Sequence, residues 1–239
     1  MPSPGPSDPG REIDNLARLD AEITGCRRCP RLVAWREQVA EERRACFRDE
    51  EYWGRPIPGF GDPAARLLVL GLAPAAHGGN RTGRVFTGDR SGDWLYAALW
   101  RAGYANQPTS RHRDDGLELA GCWVCAAVRC APPANKPSPD ERDACAPYLE
   151  REVALLRDVT VVVALGRFAW DVAWSVLARG ARPRPPFTHL AEAALPPDAA
   201  RRPRTLLGSF HPSQQNTFTG RLTEPMFDAV FHRARDLGA

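Results

Sequence analysis

The chain has 239 residues, of which 43% are hydrophobic and 26% charged, which is enough apolar material for a packed domain. Its net charge of +3 is too small to indicate nucleic-acid binding by itself, although nearly all the basic residues are arginine and Lys136 is the sole lysine. The sequence contains neither an apolar stretch of about 18 residues nor an apolar export segment near its start. We therefore expect a cytoplasmic protein that does not bind membranes, and we also expect it to be a monomer.

Periodic apolar residues predict five helices in chain order. Residues 1–11 are rich in proline, glycine and serine and are expected to form a disordered tail, and residues 12–239 are expected to form a single domain. The apolar spacing of Ile13, Leu16, Leu19 and Ile23 predicts an amphipathic first helix. The five predicted helices are 11–24, 32–50, 92–102, 139–157 and 167–179.

Four short apolar runs separate these helices and predict buried strands. Each run is continuous and bounded by turn residues, as is typical of strands covered on both faces. Strands that alternate with helices pair in parallel. We therefore predict an α/β protein: a three-layer α/β/α sandwich with a central, mainly parallel four-stranded sheet. The predicted strands are 66–72, 122–128, 159–166 and 204–210.

Each predicted strand runs directly into an unusual loop. The first loop reads APAAHGGNRTGRVFTGD, the second RCAPPANKP, the third GRFAW and the fourth HPSQQNTFTG. Parallel sheets bind ligands outside the carboxyl ends of their strands. The four loops are therefore expected to form one site from distant parts of the sequence.

Four of the seven cysteines have a spacing compatible with a metal centre. Cys26 and Cys29 form a CxxC pair, Cys130 follows the second strand, and Cys145 lies in the next helix. Four thiolates suit an iron–sulfur cluster or a structural zinc. The alternative is that these side chains are small buried hydrophobes.

The remaining cysteines are expected to be structural. Cys122 and Cys125 lie three residues apart in a strand, so their side chains should point to opposite faces and not to one metal. Cys46 lies in a predicted helix without a nearby partner. His189 and His232 have no informative context and are expected at the surface.

The first loop combines small residues with arginines and an aromatic ring. Glycine and alanine at a strand end allow the backbone to approach a ligand. Arg81, Arg84 and Arg90, with Phe86 among them, suit a phosphate backbone and a stacked base. The alternative is a solvated arginine surface with Phe86 as a core anchor. The glycine spacing matches neither a dinucleotide fingerprint nor a phosphate-binding P-loop.

The first and last loops resemble the two signature motifs of the type b, or family 5, uracil-DNA glycosylases. The segments YWGRPIPGFGDP and VRCAPPANKP also resemble that family, and the similarity extends from about residue 12 to the C-terminus. The resemblance implies the uracil-DNA glycosylase fold and a monofunctional DNA N-glycosylase. Such an enzyme flips a deaminated base out of double- or single-stranded DNA, hydrolyses the N-glycosidic bond and leaves an abasic site.

The resemblance also implies roles for individual residues. It implies a structural [4Fe–4S] cluster held by Cys26, Cys29, Cys130 and Cys145, with zinc as the alternative. Phe86 would stack on the flipped base, with Ala73 lining the same pocket, and His211 would donate a hydrogen bond to the departing base. The DNA contacts would come from Arg84, Gln214, Gln215 and Asn216.

Two positions depart from better-known members of the superfamily. Ala73 stands where several relatives carry an Asp or Asn that positions water; this alanine is expected in family 5. Asn80 is then the first candidate for holding the water, followed by Asp89 and His77. Ala126 stands where relatives have an asparagine that contacts the uracil edge. Loss of that amide should relax specificity towards bases such as hypoxanthine.

Two other functions are compatible with the same pattern. One is a non-catalytic DNA-damage-binding iron–sulfur protein on the same fold. The other is an enzyme that acts on free nucleotides in the strand-end pocket. The second function predicts weak salt dependence, whereas DNA binding should weaken steeply with salt.

Overall fold

A computed structural model describes residues 15–179, 181–197 and 204–239. The predicted disordered tail, residues 1–11, lies outside this part of the chain. The described residues contain one six-stranded sheet with the strand order β1-β3-β2-β4-β6-β5. The strands are β1 Phe60–Gly61, β2 Leu67–Gly71, β3 Cys122–Ala126, β4 Val161–Leu165, β5 Glu192–Leu195 and β6 Arg204–Ser209.

The four predicted strands form the centre of the sheet and pair in parallel. Strand β2 lies between β3 and β4, with Leu67 opposite both Cys122 and Val161, and β6 follows β4. The structure adds two short antiparallel edge strands, β1 beside β3 and β5 beside β6. These edges escaped prediction because they have two and four residues and no apolar run.

Helices cover both faces of the sheet. In chain order they are α1 Leu16–Thr24, α2 Pro30–Glu42, α3 Gly79–Thr82, α4 Arg90–Arg101, α5 Pro139–Leu155, α6 Arg167–Leu177, α7 Gln214–Phe218 and α8 Glu224–Asp236. The apolar side chains of α4 and α8 pack with one set of strand residues, including Leu67 and Val69. Those of α5 and α6 pack with the alternate set, including Leu68 and Leu70. This alternation is that of a sheet buried on both faces, and the three-layer α/β/α prediction is confirmed.

Three helices were not predicted, and one predicted helix is shorter than expected. The second helix ends at Glu42, and a short 3-10 turn at Ala45–Phe47 follows. The helix α8 was missed, although Thr223 caps its start and Arg233 and Arg235 lie in its last turn. The other two, α3 and α7, have four and five residues, too few for a periodic pattern.

The three cysteines outside the predicted cluster have different environments. Cys122 and Cys125 are buried on opposite faces of the sheet, as predicted from their spacing in a strand. Cys46, which was expected to be structural, is exposed at the surface. Within the described ranges, no helix is both long enough and apolar enough to cross a membrane.

Candidate active site

A cavity of about 550 Å³ lies at the carboxyl ends of the parallel strands. The loop after β2 and the loop after β6 form opposite parts of its wall. Its apolar wall consists of Leu72, Ala73, Pro74, Ala75 and Phe86. The polar lining residues are Asp89, Arg90, Ser91, Asn135, His211, Ser213, Gln214 and Gln215. The structure therefore brings the predicted residues Ala73, Phe86, His211, Gln214 and Gln215 together.

Phe86 is held in an unusual backbone conformation at the wall of this cavity. Its φ angle of 51° lies in the left-handed region, which a bulky residue rarely adopts. A Cβ at Gly71 would lie 2.5 Å from the Phe86 ring, so the ring occupies the space that this glycine leaves free. A Cβ at Gly92 would come within 1.8 Å of the Phe86 carbonyl oxygen. These two close approaches require glycine and fix the ring beside the cavity.

His211 lies across from Phe86, with 6.0 Å between the two ring centroids and 33° between the ring planes. Its backbone carbonyl accepts a hydrogen bond from Asn216 Nδ2 at 2.8 Å. Gly166, at φ 90°, approaches closely, because a Cβ there would lie 3.2 Å from His211 Cβ. Burial lowers the pKa of His211 to about 4. The imidazole is therefore neutral at neutral pH and retains one N–H donor.

The helix α7 forms the rim of the cavity next to His211. Ser213 caps the helix by accepting a hydrogen bond from the Asn216 backbone N–H. Gln214 and Gln215 are exposed and line the cavity. The side chain of Asn216, in contrast, points back to the His211 carbonyl. Asn216 therefore connects the rim to His211 through Nδ2, and its contact with DNA stays a prediction.

Asp89 is the one candidate for water positioning that lines the cavity. One carboxylate oxygen accepts a hydrogen bond from the Gly92 backbone N–H and caps α4. Burial raises the pKa of this carboxyl above its ordinary value. A Cβ at Gly78 would lie 2.1 Å from the second carboxylate oxygen, so a larger residue at this position would displace the Asp89 carboxylate.

Asn80, the first candidate for holding the water, lies elsewhere. Its side chain is 1% exposed, and Nδ2 donates to the Arg36 carbonyl oxygen at 3.1 Å, which connects α3 to α2. Its Oδ1 atom is buried without a hydrogen-bond partner in the described residues. The third candidate, His77, lies 3.1 Å from the Tyr52 hydroxyl through Nδ1 and lines a neighbouring cavity. The placement argues against the expectation for Asn80 and favours Asp89.

The position of Arg84 corrects the expectation that it binds DNA. The residue is 3% exposed, and one guanidinium nitrogen donates to both carboxylate oxygens of Asp115 at 2.8 Å. Further hydrogen bonds go to Thr87 and Ser110. Arg81 is also buried and pairs with Glu50. Of the three arginines in this loop, Arg90 is exposed and lines the cavity.

A second cavity of about 440 Å³ lies beside the first. The two share Ala75, Asp89, Arg90, Asn135 and Gln214 as lining residues. Its further polar and aromatic lining includes Trp35, Arg44, Phe47 and His77. Ala134 and Asn135 both have positive φ angles, 52° and 55°, so the loop after β3 is bent tightly between the two cavities. The shared residues form a groove that continues from the first cavity.

The four cysteines of the predicted cluster line one small cavity on the other side of the loop after β3. The Arg36 guanidinium donates to Cys130 Sγ at 3.0 Å, and the Arg129 backbone N–H donates to Cys145 Sγ at 3.3 Å. Among the described residues, however, no group of three or more His, Cys, Asp or Glu side chains is arranged so that it could hold a metal ion. The structure therefore brings the four cysteines around one cavity without a preformed ligand geometry, and the metal centre stays a prediction.

A buried ion pair fixes the loop that carries Cys130. Arg129 donates to the two carboxylate oxygens of Glu152 at 3.1 and 2.5 Å, and both side chains are nearly inaccessible to solvent. Glu152 lies on α5, the helix that also carries Cys145. The pair therefore holds two of the cysteine-bearing elements together. The ion pair could not be predicted from the sequence, because an arginine beside a cysteine gives no sign of burial.

The fold and cavity define an α/β protein that can hold a planar aromatic ligand between strand-end loops, beside a neutral histidine donor. Comparison with known families agrees: the model of the uracil DNA glycosylase superfamily matches residues 58–235. The chain belongs to this superfamily.

Several curated proteins are similar over most of the chain. The type-5 uracil-DNA glycosylase of Mycobacterium tuberculosis is 53% identical over 224 residues, which is 93% of this chain and 82% of the relative. That of Thermus thermophilus is 54% identical over 217 residues, or 90% of this chain and 94% of the relative. The type-4 uracil-DNA glycosylase of Sulfurisphaera tokodaii is 28% identical over 164 residues, or 68% and 60% of the two chains.

Proposed function

We propose that this protein is a monofunctional DNA N-glycosylase that removes uracil from DNA and leaves an abasic site. The observation that carries the proposal is the convergence of Phe86 and His211 on one cavity, in a member of the uracil-DNA glycosylase superfamily. A base must leave the stack to reach such a cavity. The ring of Phe86 offers an aromatic face to a planar base.

The role of His211 follows from the charge that develops during the reaction. Cleavage of the C1′–N bond leaves positive charge on the sugar and negative charge on the departing base. A donor placed at the base stabilises this charge mainly in the transition state. Because burial keeps the imidazole neutral, His211 supplies its N–H without itself being an acid.

Water is the nucleophile, and we assign its positioning to Asp89. This carboxylate lines the cavity, whereas the amide of Asn80 bonds to the Arg36 carbonyl oxygen. A carboxylate can orient a water and also accept its proton, which a neutral amide cannot do. Burial raises the pKa of Asp89, which makes it a stronger base than an exposed aspartate.

The DNA would lie across the rim of the cavity. Gln214 and Gln215 on α7 would enter the gap left by the extrahelical nucleotide, and Arg90 would contact a phosphate; the support is that all three side chains are exposed and line the cavity. The groove formed with the second cavity, lined by Arg44 and Trp35, suits the adjoining strand. Duplex and single-stranded DNA could both enter this open rim.

We infer relaxed specificity from the residue at position 126, which lies next to β2 and not in the cavity lining itself. Ala126 is buried at the end of β3 opposite Gly71 and has no side-chain amide to pair with a uracil edge. A wrong base therefore leaves no buried amide unpaired at this position, so discrimination should be weak. We expect release of hypoxanthine as well as uracil.

We also propose that Cys26, Cys29, Cys130 and Cys145 hold a [4Fe–4S] cluster. Support comes from the donor set, four thiols around one cavity, and from two N–H groups that already point at sulfur atoms. The two helices α1 and α2, the loop after β3 and α5 would then be joined at one point. The cluster would supply structural order, and the residues of the first cavity would carry out the reaction. Zinc is the alternative metal for the same ligands.

Base release measured directly tests the function. Purified protein is incubated in excess over duplexes and single strands carrying uracil, hypoxanthine or thymine, and abasic sites are counted after alkaline cleavage. Release of uracil and hypoxanthine is expected. A protein that binds the uracil duplex tightly without releasing base would instead be a non-catalytic damage sensor. Release from free nucleotides that is unaffected by salt would favour the nucleotide-processing alternative.

A further inference from the structure

The most exposed large apolar side chain in the described residues lies beside the proposed active site. Phe218, at the C-terminal end of α7, is 67% exposed, compared with 48% for Trp100 and 40% for Leu190. An exposed phenylalanine is not part of the hydrophobic core and gains no stabilisation from burial. Its position next to a cavity therefore indicates that a binding partner covers it.

One face of the Phe218 ring is already occupied by a cation. The Arg90 guanidinium carbon lies over the ring, 4.4 Å from its centroid. This distance is within the range of a cation–π interaction. With the guanidinium on one face, the exposed part of the ring is its other face and its edge. Arg90 also lines both cavities, so the stacked pair lies at the mouth of the groove.

The spacing along α7 relates Phe218 to the residues that line the cavity. Gln214 and Phe218 are four residues apart and therefore lie on the same side of the helix. The helical rise between them is about 6 Å. Successive bases of one DNA strand are about 3.4 Å apart, so this rise corresponds to roughly two base steps.

We propose that the open face of Phe218 stacks on a DNA base within about two base steps of the extrahelical nucleotide, with Arg90 supporting the ring from behind. This inference rests on the proposed function for the place of the DNA. An aromatic platform suits any base, because every base has a π-face. The positive charge of Arg90 next to the ring favours the DNA backbone over an apolar protein partner. Stacking would stabilise the opened duplex after the nucleotide leaves the stack.

Binding to a duplex that cannot be cleaved tests the proposal without requiring catalysis. The probe carries a tetrahydrofuran abasic analogue, and a single strand of the same sequence serves for comparison. Phe218→Ala should weaken binding to the duplex roughly 5- to 150-fold, the range for loss of one base–aromatic stack. Phe218→Leu should lose most of the same affinity, and Phe218→Trp should retain it. The matched control is Trp100→Ala, an exposed aromatic at the other end of α4, which should bind like the wild type.

Fluorescence identifies the stacked base. The adenine analogue 2-aminopurine is placed opposite the abasic analogue or at each of the two neighbouring steps, and wild-type protein should quench at least one position more than Phe218→Ala does. Unchanged affinity and quenching in Phe218→Ala, or wild-type behaviour of Phe218→Leu, would overturn the proposal. Failure of the function looks different: the wild type would release no uracil, while Phe218→Ala could still bind the abasic duplex more weakly.

Discussion

His189 joins the backbone at Phe210, the residue before His211, to the last helix. Its Nδ1 accepts a hydrogen bond from the Phe210 backbone N–H at 3.2 Å, and its Nε2 lies 3.2 Å from the Met226 carbonyl oxygen. The ring also packs on Phe210, with 5.1 Å between ring centroids. His189 was expected at the surface, but it is half-buried and supports the end of β6, which leads into His211.

His189→Ala should therefore reduce both stability and base release. The Phe210 N–H would lose its acceptor, which costs about 1–3 kcal/mol for a buried group. His189→Asn keeps an acceptor near the Nδ1 position. It should therefore retain a higher rate of base release than an apolar replacement such as His189→Leu. Single-turnover base release and the free energy of unfolding are measured together. His232→Ala, an exposed position on α8, is the control. Equal rates in all these variants would contradict the supporting role.

Replacement of His211 itself should have the largest effect on the chemical step. His211→Ala should slow base release by roughly 10²–10³-fold, the scale for loss of a transition-state donor. Binding to an abasic duplex should change much less, because the departing base is absent from that complex. The two measurements on one variant separate catalysis from DNA binding. A wild-type single-turnover rate would remove His211 from the mechanism.

The lowered pKa of His211 also predicts how stability depends on pH. The unfolded histidine titrates near 6.5 and the folded one near 4, so the unfolded chain binds more protons between these values. The contribution of His211 to the free energy of unfolding should therefore be largest above about pH 6.5 and should decrease as the pH falls towards about 4. Because burial also lowers the pKa of His77 and His189, the informative quantity is the difference between wild type and His211→Gln. A pH-independent difference would contradict a buried neutral His211.

Asp89 and Asn80 can be separated by paired substitutions. Asp89→Asn keeps a helix-capping side chain for α4 but removes the negative charge, so it should lower base release by about 10²-fold or more with little loss of stability. Asn80→Ala should do the reverse, because it removes the bond to the Arg36 carbonyl oxygen and leaves the cavity intact. Single-turnover rates and thermal unfolding distinguish the two. If Asn80→Ala protein is stable but slow in base release, Asn80 and not Asp89 positions the water.

The sequence predicted the parallel strands well because each has its own local signal. Continuous apolar runs such as 66–72 and the loops that follow them need no distant information. The roles of single polar residues depended on such information. The sequence near Arg84 does not show that its guanidinium pairs with Asp115, 31 residues later. The sequence near Asn80 likewise does not show that its amide bonds to the Arg36 carbonyl oxygen. The arginine of the first loop that stays exposed, Arg90, could not be chosen from composition.

The cysteine assignments predict a coloured protein. With a [4Fe–4S] cluster, purified protein should absorb broadly near ~400 nm and contain about four iron atoms per chain. Cys130→Ser should reduce the iron content and the stability, whereas Cys46→Ser, at an exposed position, should leave both unchanged. Iron content and the absorbance spectrum check this. Colourless protein with about one zinc per chain would contradict the cluster and indicate a structural zinc site.

Arg84 and Arg90 lie six residues apart in one loop but should respond differently to substitution. Arg84→Ala removes the guanidinium from Asp115, which is only half-buried and keeps its backbone N–H donors, so it should cost about 1–3 kcal/mol of stability. Asp115→Ala should cost a similar amount by leaving the guanidinium unpaired. Arg90→Ala should leave stability nearly unchanged, because the side chain is exposed. It should instead reduce the slope of log K for duplex binding against log salt concentration by about one, the value for one lost phosphate contact. Unfolding curves and binding at several salt concentrations measure both effects. A reduced salt slope in folded Arg84→Ala protein would restore Arg84 as a DNA contact.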